Sequence, residues 1–281
     1  MTASALVAFA ANSLLARWAL AGELIDPVSF TAIRLASGAL ALGAIVLAMT
    51  PRAEAGQSQG SWLAGFALFV YALGFSLAYL WLNTGMGALL LFATVQITMI
   101  GAALSRGDRL ARGQWFGAGL ALVGLVYLVF PGLEAPNPLG AALMTLAGVA
   151  WGLYTLRGKG ARMPIKLTSG NFARSLPWVA AAVLVASAWF HWSPAGVGLA
   201  LVSGVVTSGL GYVIWYAALP ALTTTQASVL QLLVPVLAAA AGAVALDEPV
   251  TLRLVLASLM ILGGVAITVM VKAPLAARLR Q

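Results

Sequence analysis

Long apolar runs occupy almost the whole of this chain and constrain its fold more than any motif does. Each run has about 20 residues, the length at which a helix spans the hydrocarbon core of a bilayer. Only 8% of the residues are charged, whereas about 25% are charged in soluble domains. The sequence therefore predicts an all-α integral membrane protein with ten transmembrane helices, at residues 3–20, 28–49, 61–82, 84–104, 112–130, 138–156, 171–189, 196–217, 224–246 and 251–271.

An internal repeat relates the two halves of the chain. A shift of 140 residues superposes Arg17 on Arg157 and Arg34 on Arg174, so that the same 17-residue spacing occurs twice. Each half contains five predicted helices. Because five is an odd number, the second half enters the membrane from the opposite side, and the sequence predicts two inverted five-helix repeats.

The polar segment after the fifth run separates the repeats, which are predicted at residues 1–131 and 132–281. Tyr79 matches Tyr212 at a shift of 133 residues, so these tyrosines are expected on facing helices of the two halves. Inverted repeats are typical of secondary transporters, which bind their substrate near the bilayer midplane between the halves. The pattern favours a transporter over the alternative, a duplicated helix bundle that serves as a scaffold or sensor.

The cationic residues predict the orientation in the membrane. If the N-terminus is cytoplasmic, eleven of the 15 Lys and Arg residues fall on the cytoplasmic side. Such an excess of cations is characteristic of the cytoplasmic segments of membrane proteins. Both termini are therefore expected in the cytoplasm, and the net charge of +8 needs no nucleic-acid partner. The eleven residues are Arg52, Arg106, Arg109, Arg112, Arg157, Lys159, Arg162, Lys166, Lys272, Arg278 and Arg280.

The sequence contains none of the common motifs for enzymatic chemistry. It has no phosphate-binding loop, no nucleophile elbow and no zinc-protease motif. With no cysteine and a single histidine, His191, it offers neither a thiolate nor a histidine cluster for a metal. We therefore expect no catalytic residue, no metal and no cofactor.

Arg34 and Arg174 lie several residues inside the second and seventh predicted spans, whereas all seven acidic residues fall in predicted loops or at helix ends. The position of the acids argues against a carboxylate proton relay. Arg34 and Arg174 could hold an anionic group at the mouth of a cavity. The favoured interpretation is simpler: both side chains reach to the interface or pair with nearby groups, as Arg34 would with Asp26.

Neutral polar and aromatic side chains near helix centres are the remaining candidates for substrate recognition. Ser228, Gln231 and Pro235 follow one face of the ninth run, where Pro235 is the candidate conformational hinge. Their alternative role is packing between helices, which is the common use of such residues in membranes. The full set predicts a central cavity that is aromatic and uncharged; its other members are Asn12, Ser76, Tyr79, Gln96, Trp151, Ser208 and Tyr212.

Several segments carry a family resemblance. They are residues 26–40 (DPVSFTAIRLASGAL), residues 227–249 (ASVLQLLVPVLAAAAGAVALDEP) and the glycine-bearing stretches 117–124 and 263–264. Through them the chain resembles the ten-helix, EamA-type members of the drug/metabolite transporter superfamily, over both of its halves.

The resemblance implies an exporter like those of the YddG type, whose substrates include aromatic amino acids. Such a protein would lie in a bacterial-type inner membrane and export amino acids by alternating access, with the small-molecule substrate and the lipid bilayer as its partners. Other members of the superfamily export other metabolites or drugs, which is the alternative. The sequence leaves the oligomeric state open, and a monomer is compatible with it.

Overall fold

A computed structural model describes residues 2–49, 59–105, 107, 111–132, 135–158, 163–218, 230–231 and 233–271. This part of the chain is almost entirely helical. Its ten long helices, numbered in chain order, are α1 (Thr2–Ala21), α2 (Pro27–Met49), α3 (Trp62–Ala78), α4 (Thr84–Ser105), α5 (Arg112–Val129), α6 (Pro138–Gly158), α7 (Pro164–Ala186), α8 (the consecutive segments Pro194–Val202, Ser203–Leu210 and Gly211–Ala218), α9 (Leu233–Leu246) and α10 (Leu252–Met270).

The length and surface of these helices match those of a membrane protein. Seven of the described helices are long and apolar enough to cross a bilayer, and α3 and α9 are shorter apolar helices. Large aliphatic side chains lie exposed on the outside of the bundle, as at Leu184 (77% exposed), Val185 (86%) and Val244 (86%). A surface of this kind is stable against lipid and unfavourable in water. The predicted all-α membrane fold is confirmed.

Local capping explains where α2 begins. Asp26 precedes the helix, and its Oδ1 accepts hydrogen bonds from the backbone N–H groups of Val28 (3.0 Å) and Ser29 (2.8 Å). Pro27 occupies the first helical position, where its missing N–H has no cost. The Asp-Pro pair therefore fixes the start of α2, and with it the height of Arg34 in the bundle.

The seventh helix is longer than the hydropathy pattern predicts. It begins at Pro164 rather than at residue 171, because a polar first part continues the same helix. Lys166 and Thr168 in that part are buried, as is Asn171, which follows it. The helix also contains Pro177 in its interior, which leaves the carbonyl four residues earlier without its usual helical partner.

Helix packing follows the internal repeat. α5 packs on α10, α2 on α7 and α4 on α9, so that each pair joins equivalent helices of the two halves. The contact of α3 with α6 has its counterpart in the contact of α8 with α1. Gly107 and Asp247, 140 residues apart in the sequence, both have left-handed backbones, with φ of 89° and 52°. Exchange of the halves thus reproduces the main contacts, as two inverted five-helix repeats require.

Two close contacts between helices show the same symmetry. Gly65 of α3 packs on the backbone of Arg174 in α7, and Gly204 of α8 packs on the backbone of Arg34 in α2. A Cβ at either glycine would meet main-chain atoms of the arginine.

The boundary between the repeats at residue 131 and the cytoplasmic placement of the termini stay predictions.

Candidate functional site

Arg34, the eighth residue of α2, is enclosed by the helix bundle. Its side chain is 1% exposed. Nε donates a hydrogen bond to Ser208 Oγ in α8 at 3.0 Å, and Nη2 donates one to the Tyr71 hydroxyl in α3 at 3.1 Å. Because α8 belongs to the second half of the chain and α2 and α3 to the first, the guanidinium group joins the two halves.

Aromatic rings surround this guanidinium group. Its central carbon lies 5.3 Å from the ring centroid of Tyr71 and 5.0 Å from that of Phe75, within the range of cation–π attraction. Ring contacts continue from Tyr71 to Trp151, with centroids 4.7 Å apart, and from Trp151 to Tyr212, with centroids 5.1 Å apart. Three further rings complete the set: Tyr154 against Trp151, and Phe9 and Phe172 against Tyr212.

These residues form what we call the central cluster. They come from α1, α2 and α3 of the first half and from α6, α7 and α8 of the second half. Since most of their side chains are buried, the cluster is occluded in this structure. Its members are Phe9, Arg34, Tyr71, Phe75, Trp151, Tyr154, Phe172, Ser208 and Tyr212.

The structure corrects the sequence-based interpretation of Arg34. The side chain neither reaches to the interface nor pairs with Asp26, whose Oδ2 instead accepts a hydrogen bond from the His191 backbone N–H at 3.3 Å. The expectation of an uncharged centre is wrong for the same reason, since a guanidinium group lies among the aromatic rings. Hydropathy placed Arg34 inside a span but gave no information on which way its side chain points.

A π-helical segment in the middle of α8, Ser203–Leu210, positions the second half against Arg34. Asn12 of α1 holds this segment, because its Oδ1 accepts hydrogen bonds from Ser203 Oγ (2.7 Å) and Thr207 Oγ1 (3.0 Å). Gly204 lets the segment approach the Arg34 backbone, and Ser208 then meets the guanidinium group. Segments of this kind occur frequently at functional sites. The sequence analysis did not predict it.

Three predicted site residues, Trp151, Ser208 and Tyr212, lie in the central cluster, and Asn12 supports it through α8. Ser76 is buried beside it, where its hydroxyl accepts a hydrogen bond from Thr31 Oγ1 at 2.8 Å and links α3 to α2.

Tyr79 lies just after α3, at one end of the bundle. Its ring contacts Phe75 at 4.8 Å and its hydroxyl donates to the Thr84 carbonyl at 3.3 Å. It is thus not placed like Tyr212, which lies within α8 among the rings of the cluster. The repeat does not make these two tyrosines equivalent, contrary to the expectation from the sequence.

The other predicted residues are not members of the cluster as defined, or fall outside the described residues. Gln96 is buried in α4, and Pro235 is buried near the start of the described part of α9. Gln231 is half-buried and helical, whereas Ser228 falls outside the described residues. Arg174 is half-buried, and its Nη1 donates to the carbonyls of Gln59 and Gly170 at 3.2 and 3.0 Å.

Sequence reasoning did not single out Tyr71, Phe9, Tyr154 or Phe172. All four are aromatic residues inside apolar runs, and most aromatic residues in such runs face lipid or other helices. No motif distinguishes them. These residues are identified only by the way six helices pack around the buried guanidinium group of Arg34.

A second polar network joins the halves at one end of the bundle. Arg17 Nε donates to Glu248 Oε1 at 2.9 Å, and its Nη1 donates to the carbonyls of Tyr79 and Leu80 at 2.9 and 3.3 Å. Glu248 Oε2 accepts a hydrogen bond from the Thr84 backbone N–H at 2.7 Å. The two charged side chains are 17% and 10% exposed. Because Arg17 lies in α1 and Glu248 follows α9, this ion pair connects the two repeats.

The same end carries a surface cleft of about 800 Å³ between the α1–α2 connection and the end of α7. Its lining is mainly apolar, and its polar members are Glu23, Asp26 and His191. All three residues belong to the connections between helices, and Asp26 is occupied in capping α2. The central cluster is therefore the better candidate for the functional site.

Ten helices in two inverted repeats, enclosing a polar and aromatic cluster at their interface, define a membrane protein built like a secondary transporter. Comparison with known proteins agrees with this class. The model of the EamA-like transporter family matches residues 138–270, which lie within the predicted second repeat. The chain belongs to this family, whose members are transporters within the drug/metabolite transporter superfamily.

Three relatives show the range of similarity. An uncharacterized protein of Pseudomonas aeruginosa, PA1977, is 50% identical over 95% of this chain and 92% of its own length. The "probable amino-acid metabolite efflux pump" of Escherichia coli is 27% identical over 74% of this chain and 76% of its own length. The threonine/homoserine exporter RhtA of Escherichia coli is 32% identical over 47% of this chain and 46% of its own length. These similarities support a small-metabolite exporter.

Proposed function

We propose that this protein exports amino acids by alternating access, with aromatic amino acids and other neutral or zwitterionic metabolites as its substrates. In this proposal the substrate binds in the central cluster. The observation that carries the proposal is the cluster itself, which draws residues from both halves and is buried between them. Names of two relatives, a threonine/homoserine exporter and an amino-acid efflux pump, support the substrate class.

The chemistry of the cluster suits a small molecule with both polar and apolar parts. The rings of Trp151 and Tyr212 offer apolar faces for a side chain and attract an ammonium group. Binding pockets typically combine such an apolar lining with few polar groups that fix orientation. In our proposal Trp151, Ser208 and Tyr212 contact the substrate directly. Asn12, Ser76, Tyr79, Gln96, Ser228 and Gln231 are further candidates along the route.

Alternating access requires that contacts between the halves break at one end while they form at the other. The Arg17–Glu248 pair is such a contact, since it connects α1 with the segment after α9. The distribution of cations supports an extracytoplasmic position for this end, and in our proposal the pair closes that side of the route. Pro177 in α7 and Pro235 in α9 weaken their helices locally, which lets the second half bend.

Counterflow in proteoliposomes tests the proposed function. Vesicles containing the full chain and loaded with unlabelled substrate should accumulate labelled L-threonine, L-homoserine or L-phenylalanine above empty vesicles. Glucose 6-phosphate and a lipophilic cationic drug should give no counterflow. The variant Tyr212→Ala should reduce amino-acid flux by about tenfold or more, because it removes a ring that packs in the cluster.

The matched control for that variant is Phe116→Ala, which removes an aromatic ring that is 66% exposed on α5. It should leave the flux unchanged. Absence of counterflow for every amino acid would contradict the proposal, and flux of the drug alone would indicate a drug exporter. Saturable binding of an amino acid without flux would instead identify a sensor.

Orientation can be tested by cysteine labelling, because the chain has no cysteine of its own. Trp192→Cys lies in the connection between α7 and α8, where Trp192 is 67% exposed. A membrane-impermeant maleimide should label this variant in intact cells. It should label Arg157→Cys, at the end of α6, only after permeabilisation. The reverse pattern would place both termini outside.

A further inference from the structure

One nitrogen of Arg34 is left without a partner by the contacts of the central cluster. Nη1 is buried and makes no hydrogen bond to the described residues, whereas Nε and Nη2 each donate one. A guanidinium nitrogen of this kind carries two N–H donors. A buried donor without a partner is unfavourable, and more so when it belongs to a charged group.

The charge of Arg34 has no counter-ion in the part of the chain that the structure describes. The ion pair found there joins Arg17 to Glu248. Ser208 and Tyr71, which bond to Arg34, are neutral hydroxyls, and so is Tyr212, whose hydroxyl lies close to the guanidinium group. A cation held inside a membrane protein without a compensating anion is costly, and such groups mark substrate or ion pathways.

The protein contacts also orient the unpartnered nitrogen. Ser208 holds Nε, Tyr71 holds Nη2, and the ring of Phe75 lies within 5.0 Å of the guanidinium carbon. With these positions fixed, Nη1 is the terminal nitrogen whose donors remain for a ligand. A carboxylate can bridge the two terminal nitrogens of a guanidinium group with parallel hydrogen bonds, a geometry that is strong and directional.

We propose that Arg34 binds the free carboxylate of the transported molecule through Nη1, with the rest of the molecule against the rings of Trp151 and Tyr212. The inference rests on the proposed function and narrows its substrate class to monocarboxylates, among them α-amino acids. A single cation suits one carboxylate, whereas a phosphate dianion would need more positive charge. An amide or amine with the same side chain brings no negative charge to Arg34 and should bind more weakly.

Competition on the unmodified protein tests this without any substitution. Counterflow of labelled L-phenylalanine is measured against L-phenylalanine, L-phenylalaninamide, 2-phenylethylamine and 3-phenylpropionate, which keep the ring and vary the charged groups. The two compounds without a carboxylate should compete about 10- to 100-fold more weakly than L-phenylalanine, the range expected for loss of a charge-assisted hydrogen bond. 3-Phenylpropionate, which lacks the ammonium group, should still compete.

Arg34→Gln and Arg34→Lys test the residue. The Gln variant should lose the discrimination between L-phenylalanine and its amide, to within about threefold, and the Lys variant should keep part of it. Arg253→Gln is the matched control, because Arg253 also faces an aromatic ring and donates hydrogen bonds, in its case to backbone carbonyls, but lies at the start of α10, outside the cluster. Gel filtration and thermal unfolding show whether each variant is folded.

The outcomes separate the two proposals. If the unmodified protein transports amino acids but the amide competes as well as the acid, or Arg34→Gln keeps the discrimination, the carboxylate assignment is wrong and the proposed function stands. If no amino acid is transported but 3-phenylpropionate stabilises the protein against heat only when Arg34 is present, the assignment holds and the proposed substrate is wrong. If no carboxylate binds in either assay, both fail.

Discussion

Glu248→Gln should reduce transport severely and destabilise the fold, because it leaves Arg17 without its counter-ion in a place that is largely shielded from solvent. The carboxylate accepts from two donors at once, Arg17 Nε at Oε1 and the Thr84 N–H at Oε2, and Arg17 in turn donates to the Tyr79 carbonyl. Removal of one partner of a buried ion pair costs about 3–5 kcal/mol. We expect a clear fall in thermal stability in detergent and a loss of most counterflow.

Asp247→Asn is the matched control for this prediction. Asp247 is the neighbouring acid, is exposed, and has a φ of 52° that asparagine accepts readily. At Asp247 the same change from acid to amide should leave stability and transport unchanged. The exchange of charges in Arg17→Glu with Glu248→Arg should recover part of the stability, since the ion pair can form again. Equal effects of the two amide substitutions would show that the ion pair does not hold the halves together.

The all-α membrane fold was predictable from sequence because it depends on bulk properties. Runs of about 20 apolar residues have few alternatives in lipid, and the breaks between them, such as Asp26 with Pro27, carry their own capping chemistry. The repeat was visible because each half contains two arginines at the same 17-residue spacing. The start of α7 was misplaced because Lys166 and Thr168 lower the local hydropathy although both are buried.

The candidate site was predictable only in part, because its determinants are tertiary. Trp151, Ser208 and Tyr212 were identified as polar or aromatic residues inside spans. The function of Arg34 was misjudged, since hydropathy cannot separate a cation that reaches the interface from one held by Ser208 and Tyr71. The π-helical segment of α8 depends on the contacts of Asn12 and Gly204, which no local pattern in the sequence reveals.

Packing of α5 against α10 gives the second large effect that we expect. These helices approach so closely at Gly117 and Gly264 that a Cβ at Gly264 would lie 2.6 Å from the Ala121 nitrogen, and a Cβ at Gly117 would meet the Gly264 carbonyl. Close approach at small residues is a main source of helix association in membranes. The obstacle on each side is backbone, which cannot move out of the way as a side chain can.

Gly264→Leu should therefore force α5 and α10 apart, with a cost at or above the upper end of the 1–3 kcal/mol that overpacking commonly causes. Gly263→Leu is the control, since nothing lies within 4 Å of a Cβ at that position. Both substitutions replace a helical glycine with a good helix former, which alone stabilises a helix. Thermal unfolding in detergent should show a midpoint about 10 °C lower for Gly264→Leu and no decrease for Gly263→Leu. Similar midpoints for the two variants would mean that the packing of α5 on α10, the last helices of the two repeats, does not depend on this contact.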